Sequence, residues 1–392
     1  MIQVVNKEDC NGCKGCFNIC PESCIVMKTD IEGFWYPKID LNICVDCGMC
    51  VRICPEQDVK EVVLQGENPL VYAAWNKDEE IRLKSSSGGV FSLLAKDVIK
   101  QGGVVLGAGY DDDLKVRHQK VERVSDIYKL RGSKYVQSDT GTTFLETKEL
   151  LEEGKLVLFS GTPCQVAGLN NFLFLKKFDN LYTVDLVCHG VPSPKIYEKY
   201  VNRLQELHGK IADIVFRDKK NGWRNYSFSY VLKNKAGYNE SRSKNTYMKG
   251  FLRDLYLRPS CHSCSFKTIN RQADITLADF WGVANKYPEL DDDKGTSLLF
   301  VHSEKGKKLL EKCESQLELH KVELEYAVRH NSAMIKSVIP HKNRDKFFRE
   351  LERGEHEIIK LIEKYAQYDF IVRVKGLARR VCSRVKRLLI RN

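Results

Sequence analysis

The sequence predicts a chain of mixed class: a small α+β module organised by cysteines, an α/β domain built on parallel strands, and a helical, basic C-terminal segment. Three observations predict this. Eight cysteines within the first 54 residues fall into two runs of identical spacing. Two short apolar strands, near residues 155 and 181, each run through a turn into a capped helix. From Phe370 to Asn392 there are eight Lys/Arg and no acid. The length of 392 residues and an apolar fraction of 43% allow two or three domains with a sizeable core. The expected boundaries are residues 1–60, 70–150, 155–325 and 326–392.

The first run is Cys10, Cys13, Cys16 and Cys20 followed by Pro21, and the second is Cys44, Cys47, Cys50 and Cys54 followed by Pro55. Both read C-x2-C-x2-C-x3-C-P, the ligand run of bacterial two-cluster ferredoxins. Zinc favours pairs of CxxC, and disulfides need an oxidising compartment, so two [4Fe–4S] clusters are the expectation. The resemblance to these ferredoxins implies interleaved ligation, with one cluster on Cys10, Cys13, Cys16 and Cys54 and the other on Cys44, Cys47, Cys50 and Cys20. Cys24 falls outside both patterns and reads as a small buried residue. Residues 25–29 and 34–39 read as a hairpin turned at Glu32 and Gly33, and residues 61–70 as a linker.

Residues 71–74 read as a strand. Ser85, Ser86, Ser87, Gly88 and Gly89 then precede a helical pattern over 90–99. The serines are natural N-caps, and small residues at a helix start leave N–H groups free for an anion, so a cofactor phosphate and a well-capped helix are equal readings. Residues 104–110 read as a strand. Gly107 and Gly109 within it do not open a helix, so they are no dinucleotide fingerprint. The basic stretch of Arg131, Gly132, Ser133, Lys134 and Tyr135 reads as a solvated loop or an anion site.

A strand over 155–160 runs into Thr162 as N-cap and Pro163 as first helical residue, placing Cys164 in the first turn. A strand over 181–187 runs into Cys188 and His189, after which Ser193 caps and Pro194 opens a helix closed by Gly209. Strand–turn–helix repeated twice suggests parallel strands with both cysteines at the carboxyl edge of one sheet, where α/β sheets place ligands. A thiol at a helix N-terminus is expected to lean toward thiolate. Residues 210–258 read as strands and loops, residues 273–282 and 295–302 as strands, and residues 305–313 as a helix. Cys261 and Cys264 form one further CxxC. Together with Cys164 and Cys188 they make the ligand number of a third [4Fe–4S] cluster. A zinc site, a redox dithiol at Cys261 and Cys264, and unrelated buried thiols stay open beside it. Cys313 and Cys382 read as structural.

The stretches Gly161-Thr162-Pro163-Cys164-Gln165 and Cys188-His189-Gly190-Val191-Pro192-Ser193 resemble the coenzyme F420 hydrogenase/dehydrogenase beta-subunit family. So do Ser87-Gly88-Gly89, Ser133-Lys134-Tyr135-Val136, Cys261-x2-Cys264, and Ala273-Asp274-Ile275 with Asp279. The likeness covers residues 1–340. It implies an α+β ferredoxin module fused to an α/β flavin-binding domain, an FAD with a third cluster close to it, and electron transfer among clusters, FAD and a deazaflavin or other small organic substrate. It maps Ser87, Gly88, Gly89, Ser133, Lys134 and Tyr135 to the flavin. Lys134 is then expected to face an anionic flavin or a phosphate, or else solvent, and His189 to donate a proton near the flavin or to hydrogen-bond a cluster sulfur. Relatives of this kind include accessory reductases of surface polysaccharide synthesis. The expected partners are a redox partner protein or ferredoxin and a small-molecule electron donor or acceptor. The rival reading is a non-catalytic electron-carrier subunit.

The net charge of +11 sits mostly in the C-terminal tail; the remainder is close to neutral, so no nucleic-acid partner is expected. Residues 1–9 lack the apolar core of a secretory signal, and no apolar run reaches spanning length. Fifteen cysteines without a secretory signal suit a reducing cytoplasm. Residues 326–369 read as helical. In the tail, Val374, Leu377, Ala378, Val381, Val385, Leu388 and Leu389 recur at helical spacing among arginines and lysines. That is the pattern of a helix lying peripherally on an anionic membrane, or of one docked on the body or a partner.

Overall fold

The computed structural model describes residues 1–56, 68–354 and 356–367. The linker expected at 61–70 falls mostly outside these residues, and the basic tail with Cys382 lies wholly outside them.

In the N-terminal module, β1 (Ile25–Thr29) pairs antiparallel with β2 (Trp35–Ile39). One-turn helices Gly15–Ile19 and Met49–Arg52 follow the two cysteine loops. Each is preceded by a residue in the left-handed region, Lys14 (φ 65°) and Gly48 (φ 72°), which reverses the chain between ligand positions. Gly33 turns the hairpin with φ at +91°. A Cβ there would also meet Lys195 Cβ at 2.2 Å, so the glycine serves both the turn and the contact with the body.

The body is organised by an eight-stranded sheet. Its strands are β3 (Leu70–Asn76), β4 (Val104–Tyr110), β5 (Val116–Val121), β6 (Val157–Ser160) and β7 (Leu181–Leu186). A separate antiparallel sheet follows in the chain, formed by β8 (Ile211–Asp218), β9 (Ser227–Leu232) and β10 (Gly237–Ser241). The large sheet is completed by β11 (Ile275–Asp279), β12 (Ser297–Val301) and β13 (Leu317–Lys321). Its order is β13-β3-β12-β11-β7-β6-β4-β5. The central strands β4, β6, β7 and β11 are parallel, as the two strand–turn–helix units imply, and the flanking pairs are antiparallel.

Period-two alternation divides the sheet's side chains between two covered faces. Val105, Leu158, Tyr182 and Leu299 face helices Val90–Lys100 and Glu304–Cys313, where Cys313 is buried as a core residue. Val104, Leu106, Val157 and Phe159 face helices Thr143–Glu152 and Pro163–Phe172. Strands from either side of residues 150–155 therefore share one sheet and its cores. A further core joins the small sheet to helices Pro194–His208, Thr246–Phe251, Arg344–Arg353 and Ile358–Tyr365. Residues expected as part of a tail thus serve that core.

The module is seated on the body through a buried polar seam. Arg344 grips the Glu32 carboxylate with both terminal nitrogens, at 3.0 and 2.5 Å. Ser193 Oγ donates to the Glu32 carbonyl at 2.5 Å, Thr140 Oγ1 to the Cys13 carbonyl at 3.0 Å, and Asn18 Nδ2 to the Gly141 carbonyl at 2.9 Å. Lys14 pairs with Asp139. The Glu32→Ala variant leaves the Arg344 guanidinium buried without its counter-ion. It is expected to cost about 3 kcal/mol, read as a lowered urea midpoint under anaerobic conditions.

Candidate functional site

The fold gathers the cysteines into three sets. Cys10, Cys13, Cys16 and Cys54 lie close enough that their charges act on one another. Cys20, Cys44, Cys47 and Cys50 line a separate cavity of about 340 Å³. The sets interleave the two sequence runs, with Cys20 and Cys54 exchanged between them. The first set abuts the body: Cys13 belongs to the core beneath helix Pro163–Phe172, and a Cβ on Gly168 would meet its sulfur at 2.9 Å. The second set is lined by module residues alone, and its Cys47 is exposed. Cys24 is buried as expected, but its sulfur also stands 3.3 Å from that of Cys20 and lines the same cavity.

Cys164, Cys188, Cys261 and Cys264 converge on a cavity of about 470 Å³ at the carboxyl edge of the sheet. Local structure explains their positions. Thr162 and Gln165 form a reciprocal capping box that fixes the turn after β6, with Thr162 N–H donating to Gln165 Oε1 at 2.9 Å. Ser193 caps the helix after β7, accepting from Ile196 N–H. Val191 N–H lies 3.4 Å from Cys261 Sγ, tying the Cys188 turn to the CxxC loop.

Desolvation pushes all four thiols up, Cys261 to about 12, with neighbouring thiols adding to the effect at Cys164 and Cys261. The expected thiolate bias of Cys164 is thereby corrected: burial outweighs the helix N-terminus. A metal centre that displaces the protons would reverse this cost. The cations around the cavity suit that exchange. Lys267 Nζ donates to the carbonyls of Cys188 and, at 2.9 Å, Ala333, and both Lys267 and Arg271 draw the Cys188 thiol down. Among the described residues, no three His, Cys, Asp or Glu side chains gather around a point as ligands of a single ion. Four thiols lining one cavity supply the ligand number of an iron–sulfur centre.

His189 lines the same cavity, with Nε2 2.6 Å from the Asp254 carboxylate. Asp254 therefore fixes its tautomer, leaving Nδ1 as the acceptor when the ring is neutral.

The six residues mapped to the flavin lie on two loops that one hydrogen bond joins, while the Tyr135 ring packs on Phe251 and Phe216. Ser133 N–H donates to Ser86 Oγ at 2.7 Å, joining the Ser85–Gly89 turn to the loop of Lys134 and Tyr135. The serines do not cap the following helix, contrary to expectation: Gly89, with φ at +82°, is the N-cap, and no side chain bonds the first turn. Ser85 Oγ instead donates back to the Ile81 carbonyl at 2.7 Å. Ser87 Oγ is buried without a partner. Gly88 is required because a Cβ would meet the Ala74 carbonyl at 2.3 Å. An uncapped helix start and an orphaned hydroxyl fit an anionic group such as a cofactor phosphate. Lys134 is half-buried rather than solvated, its Nζ donating to the Lys129 and Arg131 carbonyls at 3.1 and 3.0 Å. Burial pushes it down to about 7.

Sequence reasoning missed several residues here. Asn11, Glu56, Arg258, Lys267 and Arg271 also line the four-cysteine cavity. The Arg217 guanidinium pairs with Asp279 and lies 4.3 Å from the Tyr226 ring and 5.2 Å from the Trp281 ring, with its Nε and Nη2 buried and unpartnered. Lys219 Nζ donates to the carbonyls of Arg82, Ser87 and Lys294. Asn11, Glu56 and Arg258 stood within or beside recognised motifs, but spacing carries no signal for a group that acts across two domains.

Comparison with known proteins follows this geometry. The model described as "Coenzyme F420 hydrogenase/dehydrogenase, beta subunit N-term" matches residues 71–144, and its C-terminal counterpart matches 154–326. A "4Fe-4S dicluster domain" matches residues 9–57. An uncharacterized protein of the rpl9-rpl11 intergenic region of Porphyra purpurea is 38% identical over 72 residues, 18% of this chain and 91% of that protein. NADH-quinone oxidoreductase subunit I of Pelobacter propionicus is 34% identical over 62 residues, 14% of this chain and 33% of that protein. Pyruvate synthase subunit PorD of Thermotoga maritima is 33% identical over 61 residues, 15% of this chain and 57% of that protein. The chain thus spans nearly all of the first relative but a third to just over half of the other two. A chain of the F420-reducing [NiFe] hydrogenase complex from Methanosarcina barkeri, solved with xenon derivatization, aligns at 19% identity and a TM-score of 0.49, covering 72% of this chain and 92% of that one.

Beside the cysteine turn, His118 yields a pH prediction. Its Nε2 lies 3.1 Å from the Ser160 carbonyl, which only accepts, so Nε2 carries the proton and Nδ1 accepts from Ser138 Oγ at 2.7 Å. Burial pushes its pKa down to about 4. The unfolded chain therefore binds the extra proton first, and the His118 contribution to stability is lost as pH falls from about 6.5 through about 4. His118→Gln is expected to flatten the stability–pH slope across that window in denaturant titrations. An unchanged slope contradicts the assignment.

Proposed function

Because the chain belongs to the coenzyme F420 hydrogenase/dehydrogenase beta-subunit family and carries a 4Fe-4S dicluster domain, we propose that it is an iron–sulfur flavoprotein oxidoreductase with a small organic, hydride-type substrate. Electron transfer of the oxidoreductase type follows from the family and the dicluster domain. The cofactor set, the substrate and the residue roles are the proposal.

The residues assigned to clusters are Cys10, Cys13, Cys16 and Cys54 for an inner [4Fe–4S] centre, Cys20, Cys44, Cys47 and Cys50 for an outer one, and Cys164, Cys188, Cys261 and Cys264 for a third. FAD is assigned to Ser87, Gly88, Gly89, Ser133, Lys134 and Tyr135; when bound, it links two-electron hydride chemistry to one-electron transfer. The buried Ser87 hydroxyl and the uncapped first turn of the helix from Val90 receive the anionic portion of the cofactor. Lys134, poised to lose a proton near neutrality, balances negative charge there. His189, held by Asp254, exchanges a proton at Nδ1.

One observation carries this reading: the four-cysteine cavity shares Asn11, Glu56 and Arg258 with the surroundings of the first ferredoxin-type set. The thiolate sets thus form a continuous series from the sheet edge to the exposed Cys47. A redox partner protein or ferredoxin is placed at Cys47. A deazaflavin of the F420 kind, or the substrate of an accessory reductase in surface polysaccharide synthesis, is placed at the flavin. The proposed location is cytoplasmic, with the tail from Phe370 on an anionic membrane. Among the described residues, no helix is long and apolar enough to cross one.

The second reading, an electron-carrier subunit without its own substrate, is favoured by the likeness of the module to subunits such as pyruvate synthase subunit PorD. Composition analysis of anaerobically purified protein separates the two. The flavoenzyme reading predicts one flavin and about 12 iron atoms per chain, with a loss of about four irons in Cys188→Ser. About eight irons in the unsubstituted protein rejects the third centre. Absence of flavin after reconstitution selects the carrier.

A further inference from the structure

Arg258 is the largest charged side chain that the fold buries completely, with none of its surface exposed. Its backbone belongs to the four-cysteine cavity. Its N–H donates to the Val191 carbonyl in the Cys188 turn at 3.0 Å, and its carbonyl accepts from Cys261 N–H at 3.0 Å. Its side chain crosses into the ferredoxin-type module. Nε donates to the Cys10 carbonyl at 2.8 Å, Nη1 to Gln137 Oε1 at 3.0 Å, and Nη2 to the Trp35 carbonyl at 3.0 Å, with Cys10 Sγ at 3.6 Å. The guanidinium lies 4.5 Å from the Tyr36 ring and 5.4 Å from the Phe34 ring. Gly12, with φ at +72°, leaves it room, since a Cβ there would meet Nη1 at 2.8 Å.

None of these hydrogen-bond partners is a carboxylate. Glu56, the acid lining the same cavity, is engaged by Asn11 at 3.1 Å and Ser265 at 3.0 Å. Among the described residues no carboxylate hydrogen-bonds the guanidinium; Glu56 acts on it only through space, whereas Cys10 Sγ lies beside it. Desolvating a guanidinium is expensive unless it meets negative charge. Cys10 as a cluster thiolate supplies that charge, and as a neutral thiol it does not. The rigid fork also explains arginine over lysine, because one planar group spans a carbonyl, an amide and a second carbonyl in three directions.

We infer that Arg258 is the electrostatic link between the inner thiolate set and the four-cysteine cavity, a positioning residue that raises the reduction potential of the centre on Cys10, Cys13, Cys16 and Cys54. Reduction adds one electron and hence one negative charge to that centre, and a fixed cation beside Cys10 favours the added charge. No proton or bond changes at Arg258. Among the described residues that line the cavity of the second set, none comes from the body. The inference rests on the cysteine sets holding clusters, a point that iron content decides separately.

The test is an EPR-monitored redox titration of the full-length protein, anaerobically purified, beside its R258Q and R258K variants. C47S marks the signal of the outer centre. R258Q is expected to lower the midpoint of the inner centre alone. At the potential where the unsubstituted centre is half reduced, its reduced-to-oxidised ratio falls about tenfold, which is about 59 mV for a one-electron couple. R258K keeps the charge but not the fork, and shifts the same signal in the same direction by less. If R258Q loses its iron, R258K decides. Unchanged inner midpoints in every variant that retains iron, or equal shifts of inner and outer centres, overturn the inference. Protein without iron–sulfur signals overturns the underlying reading instead.

Discussion

Thiolates supplied by two separate pieces of chain can act together only if the pieces are held rigidly, and here the constraint is the buried polar seam between module and sheet edge. Arg258, Arg344, Lys14, Thr140 and Ser193 all reach across it. Four of these contacts end on backbone or carboxylate oxygens close to cysteine loops or to the hairpin turn. Such buried polar contacts give little net stability compared with apolar packing. They give registry. Each is satisfied in one placement of the module, and a slip of a few ångströms would leave a guanidinium or ammonium buried and alone.

The same constraint explains the chemistry at the sheet edge. Parallel strands end in turns whose first helical residues are fixed by the capping box at Thr162 and the cap at Ser193. Cys164 and Cys188 are delivered by those turns, and Cys261 and Cys264 by a loop bonded to one of them. Burial opposes ionisation of all four thiols, while Lys267, Arg271 and Arg258 stand around them. Lys267 and Arg271 offset part of that cost at Cys188, Arg258 at Cys261 and Lys267 at Cys264. At the loops of Ser87 and Lys134 the proposal of an anionic cofactor rests on an orphaned hydroxyl and an uncapped helix start.

Much of this was legible in the sequence because the determining interactions are local. Ligand spacing, the Pro163 and Pro194 helix starts, the Gly209 stop and the apolar runs of β4 and β6 all act within a few residues. The serines of the Ser85–Gly89 turn misled because their partners are not local: Ser86 bonds Ser133, and the close approach of β3 and β12 to Gly88 leaves the cap to Gly89. The thiolate bias of Cys164 misled because burial is a tertiary property. Arg258, Glu56 and Lys219 were invisible for the same reason. Their roles depend on backbone carbonyls and side chains brought close by the fold, and no period or motif encodes that. Family resemblance pointed to the cysteines and to the Ser87 and Lys134 loops but not to Arg258, Lys267 or Arg271.

The central claim is that the inner ferredoxin-type set and the four-cysteine cavity form adjoining redox centres. EPR spectroscopy of the fully reduced protein addresses this most directly, because paramagnetic centres in adjoining sites split and broaden one another's signals. The account predicts magnetic interaction in the unsubstituted protein that disappears in Cys188→Ser while the two ferredoxin-type signals persist. A spectrum that is a plain sum of isolated centres, unchanged by that substitution, would contradict it.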